Sequence, residues 1–223
     1  MGLILNIDTA LPVSSLCLEK DGEIMELVFN ENQKDNAAWP HKVIADLLKK
    51  NNLTPRELEA VAVSIGPGSY TGLRVGLAAA KGLCYALKIP LITIPTLKLM
   101  AWAVKEEATD LICPVIDARR MEVFTAIYDK SLVEKVPAHA LITEASSFAS
   151  ILSDSTLLFC GNGAFKLRGL VTSPNARFSD TVSNAAHLAE LSSICFQNKE
   201  FADLAYSAPL YIKEFYAPPR KIH

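Results

Sequence analysis

The segment Gly66–Gly76 restricts the fold more than any other part of this chain. It reads Gly-Pro-Gly-Ser-Tyr-Thr-Gly-Leu-Arg-Val-Gly and directly follows the short apolar run Ala60–Ser64. That run is typical of a covered strand, and the residues from Gly72 to Leu87 have helical character. A strand, a glycine turn and a helix in this order point backbone N–H groups toward a phosphate or a partner. The pattern predicts an α/β fold.

The glycine turn does not match the known phosphate loops. A Walker loop ends in Gly-Lys-Ser or Gly-Lys-Thr, whereas no Lys follows Gly72. The dinucleotide pattern Gly-x-Gly-x-x-Gly fails because Gly66, Gly68 and Gly72 are spaced one residue too wide. We therefore interpret the segment as a structural turn that leads into a close-packed helix, built on Gly66, Gly68, Ser69, Gly72 and Gly76.

Composition and charge argue against several function classes. The 223 residues are half hydrophobic and carry a net charge of −2, without the basic excess of a protein that holds nucleic acid alone. A role on RNA would therefore need a partner that binds it. We expect neither a signal peptide nor a membrane span, because Asp8 interrupts the first apolar stretch and Leu73–Leu87 is short and carries charges. We expect a cytoplasmic protein.

The cysteines and histidines predict no metal site. The five cysteines are widely spread and include no Cys-x-x-Cys pair, so we expect reduced thiols in the core. The four histidines are far apart, and no His-Glu-x-x-His pair occurs. Ser69 lacks the Gly-x-Ser-x-Gly setting of a hydrolase nucleophile, and we expect it to cap the following helix.

The chain contains a weak internal repeat. Leu3–Ala10 and Leu111–Ala118 are both apolar strands that end in Ile-Asp, and each precedes a polar bend and an alternating strand. Later in each half a strand precedes a paired-glycine turn, Gly66-Pro-Gly68 in the first and Gly161-Asn-Gly163 in the second. Landmarks in the same order indicate a duplicated β-β-β-α-β-α unit, with chance similarity as the alternative.

Duplicated halves, which we place at residues 1–108 and 109–223, predict a cleft between them. Asp8 and Asp117 end the equivalent strands, where open α/β sheets place their ligands. Two interpretations stay open for these carboxylates: a metal–phosphate role, or acceptance of backbone N–H donors in the next turn. The turn after Asp8 contains no glycine, so this half of a nucleotide site looks degraded. We assign a vestigial nucleotide cleft to Asp8, Thr9, Asp117, Gly161 and Gly163.

The helix from Gly72 to Leu87 has one face of small residues. Gly72, Gly76 and Ala80 are spaced by four, so this face is nearly bare backbone and allows close approach. Each glycine in a helix interior costs about 1 kcal/mol relative to alanine, so packing must offset a destabilisation. Most other positions are apolar too, which leaves two alternatives: the helix is enclosed in its own fold, or another chain covers it.

Four segments together resemble the bacterial TsaB (YeaZ) family. They occur in the family's order and span nearly the whole chain. Two residues depart from the family pattern: Tyr70 stands where Phe is usual, and Met121 replaces a common Gly. The four segments are Ile7–Ala10, Gly66–Gly76, Asp117–Phe124 and Pro209–Lys213.

The resemblance implies a fold and a function. The fold is the actin-like ATPase (ASKHA) architecture of two duplicated RNase-H-like halves. The function is that of a non-catalytic scaffold and activator of TsaD, which forms N6-threonylcarbamoyladenosine at position 37 of tRNAs that read codons beginning with A. The resemblance also implies a heterodimer with TsaD, a homodimer without TsaD, the ATPase TsaE in the larger complex, and tRNA contact only through the complex. No cofactor is required on this interpretation, and binding of ATP or ADP stays open.

The family pairs its protomers through the helices of the first half. We therefore expect the bare glycine face of the helix to lie against its own domain or a neighbouring helix, and Leu73, Leu77 and nearby residues to reach the partner. TsaD binds its metal through a histidine pair, for which this chain offers only His41, too few ligands for a catalytic metal. The residues assigned to the partner interface are Trp39, His41, Ile44, Tyr70, Thr71, Leu73, Arg74, Leu77 and Lys81.

The residues alone are also compatible with a different class of function, that of an enzyme. The two glycine turns and the two strand-end aspartates also fit a self-sufficient actin-fold ATPase or small-molecule kinase. A metalloprotease, the third alternative, lacks metal ligands and a nucleophile. ATP hydrolysis at an ordinary enzymatic rate of about 1 per second by the isolated protein separates the kinase interpretation from the scaffold.

Overall fold

The computed structural model describes residues 2–30 and 38–213 and contains two mixed sheets of five strands each. The first sheet is formed by β1 Leu3–Asp8, β2 Ser15–Lys20, β3 Glu23–Phe29, β4 Ala60–Ser64 and β5 Leu91–Ile94. The second is formed by β6 Leu111–Asp117, β7 Glu122–Asp129, β8 Glu134–Ile142, β9 Leu157–Cys160 and β10 Ala176–Phe178. The helices are α1 Trp39–Lys50, α2 Tyr70–Leu87, α3 Thr96–Ala103, α4 Ala149–Leu152, α5 Phe165–Arg168 and α6 Ala185–Gln197.

The two sheets have the same topology. Their strand orders are β3-β2-β1-β4-β5 and β8-β7-β6-β9-β10. In each sheet the first three strands form an antiparallel meander, and the fourth and fifth run parallel to the first. The predicted duplication is confirmed, and each half adds one strand and one helix to the predicted β-β-β-α-β-α unit.

The central strands of the first sheet bring the candidate site together. β1 and β4 are buried along their whole length, as expected of apolar strands covered on both faces. They run parallel with Ile7 opposite Val63, so Asp8 and Ser64 leave the sheet side by side. The glycine turn therefore begins next to the end of β1.

The last helix of each half lies on the sheet of the other half. α6 contacts β1 and β2, and Ser192 Oγ of this helix donates a 2.6 Å hydrogen bond to the buried Asn6 Oδ1. α3 contacts β6 and β7, where Leu97 and Met100 join the apolar core of the second half. The boundary placed between residues 108 and 109 lies between α3 and β6 and stays a prediction.

Residues 202–213, called the C-terminal strap below, return from α6 to the first half. Lys81 Nζ of α2 donates hydrogen bonds of 3.2 and 2.9 Å to two carbonyls of the strap. The N–H of Leu210 donates to the carbonyl of Ile65 at 2.7 Å. The strap thereby brings Tyr211 to the region between the two halves.

The cysteines are free thiols, which confirms the prediction of reduced core residues, with Cys195 half-buried and the other four buried. Burial raises the pKa of Cys17 to about 12 and that of Cys84 to about 11, so these thiols stay protonated at neutral pH. No helix within residues 2–30 and 38–213 combines the length and the apolarity needed to cross a bilayer.

Candidate functional site

The glycine turn packs directly against the backbone that follows β1. A Cβ atom added at Gly68 would lie less than 3.0 Å from the carbonyl oxygen of Ala10, and one at Gly72 equally close to that of Thr9. The N–H of Ser69 donates a 2.7 Å hydrogen bond to the Ala10 carbonyl. Glycine is required at these positions because another backbone occupies the space of a side chain.

The small-residue face of α2 lies against its own domain, as predicted. A Cβ at Gly76 would clash with Oγ1 of Thr9, which donates a 2.7 Å hydrogen bond to the carbonyl of Gly72. Ala80, one turn further, is fully buried. The side chain of Ser69 accepts from the N–H of Gly72 at 3.2 Å, which confirms its predicted capping role.

Asp8 is enclosed beneath this contact. Its Oδ1 accepts a 2.6 Å hydrogen bond from Ser64 Oγ and a longer one, 3.3 Å, from the N–H of Ala10. Its Oδ2 is buried and has no hydrogen-bond partner in the part of the chain that the structure describes. Burial raises the pKa of this carboxyl above its ordinary value, against the lowering effect of the two hydrogen bonds. Asp8 accepts a backbone donor in the turn after β1, which is one of the two roles considered from sequence.

Asp117, at the equivalent strand end, is partly exposed and ion-paired. Its Oδ1 lies 2.5 Å from Lys166 Nζ and accepts the N–H of Arg119 at 2.7 Å. The hydrogen bond from Lys166 is the main cause that lowers the pKa of the Asp117 carboxyl. Lys166 Nζ also donates to the carbonyl of Glu122 at 2.9 Å, so the ammonium group is held between two acceptors at this site.

The second glycine turn packs against the end of β6 itself, whereas the first packs against the backbone that follows β1. Gly161 has a φ of +95°, and a Cβ there would clash with Met100 and with the carbonyl of Val115. A Cβ on Gly163 would lie 2.8 Å from Val115 Cγ1 and 2.9 Å from the backbone nitrogen of Asp117. Both glycines serve close packing between the turn and the strand.

A cavity of about 880 Å³ lies between the halves. Of the predicted nucleotide set, Thr9 and Asp117 line it, whereas Asp8, Gly161 and Gly163 do not. The glycine turn contributes Gly68, Ser69, Tyr70, Thr71 and Gly72, and the strap contributes Tyr211, Ile212 and Lys213. The predicted nucleotide residues are therefore divided between a buried carboxyl, a packed turn and the cavity wall.

A second, smaller cavity of about 360 Å³ lies beside Gly161. Its wall is largely apolar and includes Met100, Phe165 and Val182. Ser183 also lines it, and its buried Oγ has no hydrogen-bond partner among the described residues. The cavity has the size and lining that suit a small, mostly apolar group.

α2 turns outward a face that sequence reasoning assigned only in part, at Thr71 and Arg74. Leu73 and Leu77 are 1% and 4% exposed, and Ile44 of α1 is also buried. This corrects their assignment to the partner interface, because all three pack inside the first half. With apolar residues on nearly every side of the helix, periodicity could not distinguish the inner face from the outer one.

Five exposed residues of α2, called the outer face of α2 below, follow helical spacing. Tyr85 is 81% exposed, and a Cβ added at Gly82 would meet no atom within 4 Å. The outer face comprises Thr71, Arg74, Ala78, Gly82 and Tyr85. Of the other residues predicted at the interface, His41 is exposed, while Trp39, Tyr70 and Lys81 are half-buried. A small-residue stripe at positions 78 and 82 was the available signal for this face.

Arg74 links α2 to the strap at the edge of the cleft. Its guanidinium lies 4.0 Å from the ring centroid of Tyr70, and its Nε donates a 2.9 Å hydrogen bond to Tyr211 Oη. The two tyrosine rings lie 5.4 Å apart. Sequence reasoning missed Tyr211, because Tyr211 is far from α2 in sequence and no local pattern indicates the contact. Among the described residues, no group of three or more His, Cys, Asp or Glu side chains is placed to hold a metal ion.

The fold and the cleft define the class of protein. The duplicated halves form the actin-like ATPase architecture of two RNase-H-like units, which confirms the predicted fold class. YeaZ from Pseudomonas aeruginosa has a TM-score of 0.81 at 22% identity, covering 95% of this chain and 100% of that chain. A crystal structure described as an uncharacterized protein with similarity to peptidase YEAZ from Pseudomonas aeruginosa gives 0.83 at 21% identity, covering 96% and 100%. At these identities the likeness shows the fold.

Sequence comparison shows the family. The family model for TsaD, tRNA N6-adenosine threonylcarbamoyltransferase, matches residues 31–218. The tRNA threonylcarbamoyladenosine biosynthesis protein TsaB of Bacillus subtilis is 27% identical over 94% of this chain and 93% of its own length. The protein of the same name from Escherichia coli is 32% identical over 57% of this chain and 55% of its own length. The chain belongs to this family and, within it, to the TsaB (YeaZ) group.

Proposed function

We propose that this chain is a non-catalytic scaffold and activator of a TsaD-type enzyme in the formation of N6-threonylcarbamoyladenosine at position 37 of tRNAs that read codons beginning with A. A role in this biosynthesis is supported by the names of its relatives. The observation that carries the scaffold role is the glycine turn. The carbonyls of Ala10 and Thr9 occupy the positions that side chains would take at Gly68 and Gly72, and the Ala10 carbonyl accepts the N–H of Ser69, while the far side of α2 is exposed.

The charged groups of the cleft support a non-catalytic role. A metal–phosphate site needs carboxylates free to bind the cation. Asp8 is buried and bonded to Ser64, and Asp117 is paired with Lys166. We therefore propose that no cofactor is required and that any binding of ATP or ADP is incidental to the role.

The outer face of α2 is the surface we assign to the TsaD-type partner. Ala78 and Gly82 give it a low, flat centre onto which another helix can pack closely. Arg74 and Tyr85 stand at its two ends, and these residue types are enriched among those that dominate binding energy. The same face would pair two copies of this chain when the partner is absent. In this proposal TsaE also joins the complex, and the complex is cytoplasmic. The chain meets tRNA only as part of that complex.

The role is tested by reconstitution. Modified adenosine is measured by mass spectrometry in reactions that contain tRNA, threonine, bicarbonate, ATP and the other enzymes of the pathway. We expect product formation to depend on this chain. Unchanged product on its omission would refute the scaffold role.

The interface is tested by a matched pair of substitutions. Ala78→Arg places a charge at the centre of the outer face of α2, whereas Ile194→Arg makes a similar change at an exposed position of α6. We expect Ala78→Arg to weaken binding of the TsaD-type partner at least tenfold by calorimetry, with little change in the melting temperature of the isolated chain. Ile194→Arg should bind normally. Equal binding by both variants would place the interface elsewhere.

A self-sufficient ATPase or kinase is the second candidate, and the cavities of about 880 and 360 Å³ are the observation that favours it. A kinase with an ordinary turnover of about 1 per second or more would hydrolyse ATP without any partner. We expect the purified chain to show no such rate. The measurement should compare the wild type with Asp117→Asn, because a rate that both share indicates a contaminant.

A further inference from the structure

The turn of the hairpin between β6 and β7 contains two arginines whose backbone conformation favours glycine. Arg119 has a φ of 71° and Arg120 a φ of 48°. Both lie in the left-handed region, where a Cβ is disfavoured. Within the described residues they are the one consecutive pair of non-glycine residues with positive φ.

The shorter turn between β2 and β3 shows that the chain also bends at positive φ with residues that adopt it more readily. There the two positive-φ residues are Asp21 and Gly22, a pair that adopts such turns readily. A tight hairpin therefore requires no arginine. Residues in a strained backbone conformation occur most often at functional positions. The two arginines at the β6–β7 turn therefore indicate a role for their side chains.

The surrounding structure holds this turn in place from both sides. The N–H of Arg119 donates to Asp117 Oδ1 at 2.7 Å, and the N–H of Glu122 donates to the carbonyl of Arg119 at 3.1 Å. On the other side, Thr143 donates its N–H and its Oγ1 to the carbonyl of Met121, both at 2.8 Å. The guanidinium groups are thus carried on a fixed support.

Both guanidinium groups are exposed and have no acidic partner among the described residues. The nearest carboxylates are committed elsewhere, since Asp117 pairs with Lys166 and Glu122 pairs with Lys213. With respect to residues 2–30 and 38–213, the hairpin therefore carries two positive charges without a carboxylate partner, on a chain whose net charge is −2.

The arginines border two cavities. Arg119 lines the cavity between the halves, and both arginines line a shallow cavity of about 500 Å³ whose other walls include the exposed apolar residues Met121 and Ile142. An apolar surface beside two guanidinium groups suits an unpaired nucleotide, with the base against the apolar wall and the phosphate on the arginines.

We infer that the Arg119–Arg120 hairpin binds the phosphate backbone of unpaired RNA within the tRNA-modifying complex. The inference rests on the proposed function, which supplies tRNA as the macromolecule near this surface. Because the rest of the chain lacks a basic excess, the contact orients tRNA in the complex and does not hold it alone.

The test uses the complex of this chain with its TsaD-type partner and a fluorescently labelled tRNA that reads a codon beginning with A. The double variant R119N/R120G keeps the turn with residues that prefer it and removes both charges. We expect the Kd by anisotropy to rise about tenfold at 100 mM KCl. The slope of log K against log salt should fall by about 1.4, at roughly 0.7 for each lost contact to single-stranded RNA.

Two controls separate this role from a structural one. R119N/R120G should melt no lower than the wild type, since the strained residues are gone. K130Q/K199Q removes the same charge from two other exposed sites and should leave the salt slope unchanged.

An unchanged Kd and slope in R119N/R120G would overturn the inference while leaving the scaffold role intact. Loss of binding to the partner protein, with tRNA contact unaffected, would overturn it in favour of a protein contact. The proposed function fails separately, if modification proceeds without this chain.

Discussion

The two strand ends that flank the cleft occupy equivalent positions in the duplicated fold and have opposite environments. Asp8 is buried, has one oxygen without a partner within residues 2–30 and 38–213, and has a raised pKa. Asp117 is partly exposed, is paired with Lys166, and has a lowered pKa. The same sequence landmark, Ile-Asp at the end of a strand, therefore has two different chemical roles.

The difference arises from what packs over each strand end. In the first half the backbone of the glycine turn lies directly on Thr9 and Ala10 and seals the carboxyl beneath it. In the second half Asn162 contacts the strand end by a 3.2 Å hydrogen bond from the N–H of Asp117, which leaves its carboxylate open to Lys166 and solvent. Duplication preserved the topology, and local packing separated the functions.

The largest expected effect on stability comes from a substitution in the glycine turn where it covers the end of β1. Gly72→Ala places a methyl group against the Thr9 carbonyl, and neither backbone can move without breaking the turn. We expect a loss of more than about 3 kcal/mol in the free energy of unfolding, measured by urea denaturation. The matched control is Gly82→Ala in the same helix, which meets open space and should gain about 1 kcal/mol. Similar stability of the two variants would show that the turn does not seal the strand end.

A smaller effect concerns the charge of Asp8. Because its pKa is higher in the folded chain than in the unfolded one, its stabilising contribution is present below the ordinary pKa of 3.8 and is lost as pH rises through the folded value. Each unit of that shift corresponds to about 1.4 kcal/mol. Asp8→Asn should therefore become progressively more stable relative to the wild type as pH increases from 4 to 8. A difference that is constant with pH would contradict the burial of an ionisable group here.

The smallest effect, with the opposite sign, concerns Asp117. Its folded pKa is lowered, so its contribution is present above the ordinary value of 3.8 and is lost as pH falls through the folded value. Asp117→Asn should cost about 1 kcal/mol at pH 7, because Asp117 is partly exposed and solvent partly screens its pair with the nearly buried Lys166, and nothing in strong acid. Carboxyl NMR titration of the wild type should place Asp117 below 3.8 and Asp8 above it; the reverse order would refute the comparison.

The local sequence pattern was sufficient to predict the elements of the site. It was insufficient to predict which face of α2 points outward. The strand, glycine turn and helix were predictable because glycine and β-branched residues have strong local preferences. The outward face of α2 was not, since Leu73 and Ala78 both fit a helix that is apolar on nearly every side. Tyr211 was also out of reach, because its contact with Arg74 spans 137 positions of sequence.

The sequence by itself determined the duplicated α/β units, the absence of a Walker-type phosphate loop and the family resemblance, since each depends on residue type and short spacing. Tertiary structure alone decided that the Thr9 and Ala10 carbonyls fill the glycine turn, that Asp8 is sealed while Asp117 is paired, and that Ala78 and Gly82 face outward. These depend on which surfaces meet when distant segments pack, and a carboxyl's charge or a helix's free face is set by that packing.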